Sequence, residues 1–192
     1  GLKRIGFVTG RGKRAIEDHF DKSYELEDQI RGTGSEQLLL STRNLIDQCE
    51  FSYTRQKEMK GLGHAILTGE TLIGDEAFAV VLADDLCITD GDGVLSQMLE
   101  LFKQFGCSIV AVEEVSDDKI HQYGVVYGNR LNERVYRITD MIEKPSRADT
   151  SSNLGIIGRY ILTQDIFDLL RETPLGRNGE LQITDALKKQ AE

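Results

Sequence analysis

Apolar runs of two different periods alternate along the chain, and that alternation constrains its fold more than any single motif. Ile5, Phe7 and Val8 form a short strand that ends at Thr9 and Gly10. Two helical stretches follow. The first, "RGKRAIEDHFDKSYELEDQI", sets Ala15, Ile16 and Phe20 on one side; the second, "SEQLLLSTRNLIDQC", has Ser35 as its expected N-cap. "EFSYTRQ" alternates, with Phe51 and Tyr53 on one face, as a strand does. A glycine turn leads into a helix over Ala65 to Leu72, then the apolar strand "AFAVVLADD", the helix "GDGVLSQMLELFKQF" and the strand "CSIVAVEEV". Such alternation predicts parallel strands with helices on both faces of the sheet. Three strand-like runs then follow one another, "YGVVYG", "RVYRITDMIEKP" and "NLGIIGRYIL", and predict an antiparallel excursion. Helices over Asp165 to Glu172 and Glu180 to Lys189 close the pattern. The expected fold is therefore α/β, a mixed, mainly parallel, doubly wound sheet. A length of 192 residues suggests one domain over 1–192.

Composition limits the partners. Apolar residues make up 40% and charged residues 29%, enough for a buried core in a soluble protein. A formal net charge of −9 argues against a nucleic-acid surface, because backbone phosphates reward clustered Lys and Arg. A nucleotide ligand remains compatible, since one phosphate needs only a few local donors. Cys49, Cys87 and Cys107 lack metal-ligand spacing, which suggests reduced thiols in a cytoplasmic protein; Cys87 and Cys107 are expected in the core. No secretory leader is read, and no apolar run is long enough to span a bilayer.

Three stretches could carry chemistry. "FAVVLADDL" reads as a strand buried on both faces over Phe78 to Leu82, ending in Asp84 and Asp85. Ligands of open α/β sheets gather beyond the carboxyl ends of the strands. A carboxylate there suits Mg²⁺, which shares its ligands with substrate phosphates, although either aspartate could simply cap a turn. In "DMIEKPS", Glu143 and Lys144 end a strand before Pro145. They are either an ordinary surface pair or, in a cleft, a hydroxyl acceptor and a phosphate-binding cation. "KGLGHA" opens a helix with two glycines, as a plain turn, a phosphate cradle or a surface for a flat ligand. His64 there is read as a packing residue, and His19 and His121 as surface residues. "GRGKR" lacks the spacing of either glycine-rich phosphate motif and reads as a basic turn.

"RQKEMKGLGHA", "FAVVLADDL", "YGVV", "IEKP", "SNLGIIGRYIL" and "GELQITDAL" occur in this order, and together with "VTGRGKRAIEDHFDKSYELE" they resemble the bacterial UTP–glucose-1-phosphate uridylyltransferases across essentially the whole chain. The resemblance implies a Rossmann-like nucleotidyltransferase fold that converts UTP and glucose 1-phosphate into UDP-glucose and pyrophosphate, with Mg²⁺. It places the glycine turn beside the uracil, with Gln56 reading the base edge and Gly61 contributing backbone. Asp84 would bind Mg²⁺, Gly124 would pack on the sugar, Glu143 would accept from sugar hydroxyls, and Lys144 would hold the sugar phosphate. Tyr160 would line the sugar pocket. Asp84 and Lys144 are thus the implied catalytic groups, and copies of the chain are expected to associate.

The family's glycine-rich loop and following lysine are not found near Gly1, and its later metal-sharing aspartate is not found before Glu192. The expectation is a domain shortened at both ends, with catalysis impaired at this length. The competing readings are another sugar-1-phosphate nucleotidyltransferase, such as the thymidylyl type, and a non-catalytic nucleotide-sugar-binding module. A dinucleotide oxidoreductase fits least, because no GxGxxG follows a strand.

Overall fold

The computed structural model describes residues 2–192. They form two compact units, Gly1–Met59 with Ala65–Ile73, and Lys60–His64 with Gly74–Glu192.

In the first unit β1 (Arg4–Thr9) pairs in parallel with β2 (Glu50–Arg55), Phe7 lying opposite Tyr53. The crossover between them holds three helices, α1 (Arg14–Phe20), α2 (Tyr24–Ile30) and α3 (Gly34–Ile46). Alternation brings Phe7, Phe51 and Tyr53 to one face, where Phe20 joins them; Phe20 and Phe51 stack at 4.8 Å, and Phe7 and Tyr53 at 5.5 Å. The body of α4 (Gly61–Ile73) lies close against β1: a Cβ on Gly69 would come within 3.2 Å of Val8. The N-cap of α3 is Thr33, not Ser35, which falls inside the helix. Glu36 explains the shift, because its carboxylate accepts from the Gly32 N–H at 2.7 Å and so fixes the helix start two residues earlier.

The second unit holds a five-stranded sheet in which every pairing is antiparallel. At its centre is β7 (Leu154–Leu162). Tyr160 lies opposite both Val80 of β3 (Phe78–Val81) and Val110 of β4 (Ile109–Glu114), so these two strands flank β7 on opposite edges. Gly155 likewise pairs with Glu113 and with Val125 of β5 (Gly124–Arg130), and β6 (Tyr136–Glu143) lies outside β5. Among the described residues parallel pairing is thus confined to β1 and β2. Strands β3 and β4 do run the same way, as the helix between them requires, but β7 is inserted between them. Helices α5 (Val94–Phe105), α6 (Ile166–Glu172) and α7 (Ile183–Ala191) complete the unit. The core comprises Val125, Val126, Leu162, Ile166, Phe167 and Leu187, each at most 3% exposed, with Phe167 stacked on Phe78 at 5.1 Å.

Two expectations about burial fail here. Strand β3 ends at Val81, which is 51% exposed, so the apolar run is not covered on both faces; the next residue, Leu82, donates its N–H to the Gly158 carbonyl instead. Cys107 is exposed and Cys87 half-buried, because both fall in loops beside strands rather than within them. Among the described residues no helix is long and apolar enough to cross a membrane.

Candidate active site

Gly124 and Glu143 are cross-strand partners where β5 begins and β6 ends. The ladder continues one step further through the Lys144 N–H, which donates to the Tyr123 carbonyl at 3.0 Å. Lys144 has φ 45°, a left-handed conformation that costs a side-chain-bearing residue roughly 1–3 kcal/mol and clusters at functional sites. Its ammonium lies 3.8 Å from Glu143 Oε1, with the lysine side chain half in solvent. The other oxygen, Glu143 Oε2, accepts from Thr184 Oγ1 at 3.0 Å. Thr184 is 2% exposed, in the first turn of α7, and that helix is tied back to β6 by Lys188 Nζ on Asp140 Oδ1 at 2.6 Å. Gly124 has no room for a side chain, since a Cβ would fall 2.7 Å from Thr184 Cγ2 and 3.1 Å from Glu143 Oε2.

A cavity of about 480 Å³ opens on this cluster, lined by Gly124, Glu143, Lys144, Tyr160 and Thr184 and by both Asp84 and Asp85. Strand β7 supplies Tyr160, 4% exposed, whose phenol is pushed up by burial and by the negative charges of Glu143 and Asp85. It is therefore a neutral polar wall. Asp84 is exposed and Asp85 half-buried. Their segment is tied to β7: the Arg159 guanidinium donates to the carbonyls of Leu82 (2.9 Å), Gly158 (3.0 Å) and Asp85. A neighbouring hollow of about 610 Å³ shares Glu143 and Lys144 with His121 and Ser146.

The site's oxygen-only donors suit a hard divalent cation. Among the described residues no group of three His, Cys, Asp or Glu gathers as a cage, so such a cation would be held by one or two carboxylates and by substrate phosphates. Asp84 and Asp85 fit that requirement.

Five sequence-derived candidates, Asp84, Gly124, Glu143, Lys144 and Tyr160, therefore meet at one cavity. Gly61 lies in the same unit, at the start of α4 with φ 86°. Its neighbours are protein: a Cβ there would fall 2.9 Å from Glu180 Cβ, and one on Gly63 would fall 2.7 Å from the Leu181 carbonyl oxygen. The paired glycines let Lys60 O accept from Leu181 N (2.8 Å) and Gly63 N donate to Leu181 O (3.0 Å). Gln56 belongs to the first unit, directly after β2, with its N–H on the Thr9 carbonyl at 2.8 Å. Sequence reasoning missed Thr184 and Arg159. Both sit inside motifs that it quoted, "QITDAL" and "GRYIL", but a lone threonine or arginine carries no spacing signal.

Comparison with known proteins agrees with this architecture. Residues 3–192 match the nucleotidyl transferase family. A UTP–glucose-1-phosphate uridylyltransferase of Pseudomonas aeruginosa is 61% identical over 193 residues, spanning 100% of this chain and 69% of that protein. A crystal structure of apo UDP-glucose pyrophosphorylase superposes with a TM-score of 0.93 at 59% identity, covering 98% of this chain and 70% of that one. A UDP-glucose pyrophosphorylase complexed with UDP-glucose gives 0.92 at 56% identity, over 100% and 70% of the two chains. With 61% identity along its whole length and a shared fold, the chain belongs to the nucleotidyl transferase family, among the UTP–glucose-1-phosphate uridylyltransferases.

Proposed function

We propose that the protein joins UTP and glucose 1-phosphate into UDP-glucose and pyrophosphate, using the cavity between the carboxyl end of β3 and the β5–β6 edge. The observation that carries this is the Gly124–Glu143–Lys144–Thr184 cluster, which faces two carboxylates across one cavity. Glu143, with one oxygen held by Thr184, keeps the other for sugar hydroxyls. Lys144 presents a cation half in solvent, suited to a phosphate that arrives from it. Uridylyl transfer forms a bond from the glucose 1-phosphate oxygen to the α-phosphorus of UTP and breaks the bond to pyrophosphate. No covalent enzyme intermediate is required, so the protein's task is alignment and charge neutralisation. Lys144 offsets the repulsion between the attacking phosphate and the triphosphate and holds the nucleophile in line. Asp84, with Asp85 beside it, would hold Mg²⁺, which when bound supplies neutralisation of the triphosphate. Gln56 and the Gly61 backbone are assigned to the uracil, and Tyr160 to the sugar.

The reading also treats 1–192 as one nucleotidyltransferase-like domain, supported by a family match that runs across both compact units. Three free thiols fit a cytoplasmic location, and copies of the chain associate, which sedimentation tests. The deciding assay is pyrophosphate release with glucose 1-phosphate and either UTP or dTTP, with and without Mg²⁺. Transfer dependent on UTP and Mg²⁺ and lost in Glu143→Gln supports the proposal. UDP-glucose binding without turnover would make the protein a binding module, and preference for dTTP would reassign the base.

A further inference from the structure

We propose that Arg159 is a positioning residue that fixes the segment beyond β3, and with it the aspartates at the cavity. Residues 82–85 leave the sheet at Val81 and have no ladder to hold them. What holds them is β7. Arg159 lies opposite Val81, is 9% exposed, and spends its fork on carbonyls alone: Nη1 donates to Leu82 and Gly158, Nη2 to Asp85. Leu82 returns the contact, its N–H donating to the Gly158 carbonyl at 2.9 Å. Gly158 allows the close approach, with φ 64° and a Cβ position only 3.0 Å from Leu82 Cβ and 3.2 Å from Asp85 Oδ2. The segment is thus pinned at Leu82 and at Asp85, and the turn between the pins presents Asp84 outward. The clamp stops there, for Leu86 is 84% exposed and Ile88 86% exposed.

A guanidinium is the group this task requires. Two nitrogens of one rigid plane reach carbonyls three residues apart, which a single ammonium cannot do. The three carbonyl dipoles also stabilise the buried charge without engaging either carboxylate, so Asp84 and Asp85 keep their oxygens for a ligand. Arg159 does not touch substrate; it acts through the segment it holds.

The clamp itself is testable on the free protein, while its effect on rate rests on the uridylyltransferase reading. Hydrogen exchange read by NMR should show the Leu82 amide, which donates to the Gly158 carbonyl, protected relative to the amides of 86–92 in the unaltered protein. In Arg159→Lys and Arg159→Met, exchange of the Leu82 amide should accelerate about tenfold or more, while amides over 120–126 and 160–170 stay unchanged. Turnover should fall by about a hundredfold through kcat, the cost of a slightly misplaced group. The KM for glucose 1-phosphate should stay within about twofold, because Glu143, Lys144 and Thr184 are untouched. An unprotected Leu82 amide in the unaltered protein would overturn the proposal, and that measurement decides even if the variants do not fold. Equal exchange in Arg159→Lys and the unaltered protein, or loss of protection everywhere at once, would overturn it too. If the unaltered protein transfers no uridylyl group, the functional reading fails while the exchange data still decide the clamp.

Discussion

Replacing Thr184 by valine isolates one hydrogen bond at the proposed sugar site. Valine keeps the Cγ2 packed at Gly124 and removes only the hydroxyl that donates to Glu143 Oε2 at 3.0 Å. A hydrogen bond to a carboxylate contributes about 1.5–3 kcal/mol. The Glu143 side chain is 20% exposed, so water can replace part of the lost bond and the lower end applies. About 1.5 kcal/mol corresponds to roughly tenfold in binding. The KM for glucose 1-phosphate should therefore rise about tenfold while that for UTP moves less than about twofold. Serine gives the opposite signature. It keeps the hydroxyl but leaves a methyl-sized gap at a site 2% exposed, costing about 1 kcal/mol, or about 2–4 °C in melting temperature, with KM unchanged. Pyrophosphate-release kinetics with each substrate varied in turn, alongside thermal unfolding of both variants, makes the comparison. An unaltered KM for glucose 1-phosphate in Thr184→Val, or a loss in Thr184→Ser as large as in Thr184→Val, would refute the assignment.

Asp84→Asn should lower kcat by about a hundredfold or more, as when one charge-stabilising group is removed, and Asp85→Asn by less; the reverse order in the same assay would move the metal role to Asp85. Lys144→Ala should raise the KM for glucose 1-phosphate more than that for UTP, and equal effects would make the residue structural. Lys144→Gly should lose the same binding yet melt higher, because it removes the left-handed strain worth roughly 1–3 kcal/mol. Gly63→Ala should destabilise by about 1–3 kcal/mol in denaturant unfolding, since its Cβ would sit 2.7 Å from the Leu181 carbonyl oxygen and 2.9 Å from Leu170 Cδ2. The hydrogen bond from Lys188 holds the Asp140 carboxyl below its usual range, so the pair's stabilisation is present above about pH 4 and lost as pH falls through the folded value. Asp140 in turn raises Lys188, so the alkaline loss comes as pH rises through the folded lysine value; Lys188→Met should flatten both limbs in a melting-versus-pH series.

Periodicity made the elements legible because each segment carries its own signal. Phe51 and Tyr53 alternate, and the helix α5 has one apolar side, so local rules suffice for both. Pairing was less legible. Strand β7 is inserted between β3 and β4 through contacts some 40 to 80 residues apart in sequence, and nothing in "CSIVAVEEV" states which strand will lie beside it. The site divides the same way. Glu143 and Lys144 stood out because a charged pair interrupts an apolar strand before a proline. Thr184 and Arg159 did not, because each takes its role from a partner far away: Glu143 is 41 positions from Thr184, and Leu82 is 77 from Arg159.

The glycine turn shows how such distant partners become linked. Gly61 and Gly63 carry no side chains, and the space is taken by the Cβ of Glu180 and the backbone of Leu181, the latter joined by the bonds Leu181 N to Lys60 O and Gly63 N to Leu181 O. Three residues beyond Leu181 stands Thr184, which holds Glu143. The backbone of Leu181 is thus fixed by the turn, and the start of α7 is fixed by that backbone. Glycine at 63 is required by protein packing whether or not a base lies near Gly61. Any side chain introduced at Gly63 pushes first on Leu181, and the displacement passes along 181–184 to the hydroxyl that orients the Glu143 carboxylate. The turn and the proposed sugar site are therefore mechanically one piece, although Thr184, which joins them, stands more than a hundred residues beyond Gly63 in sequence.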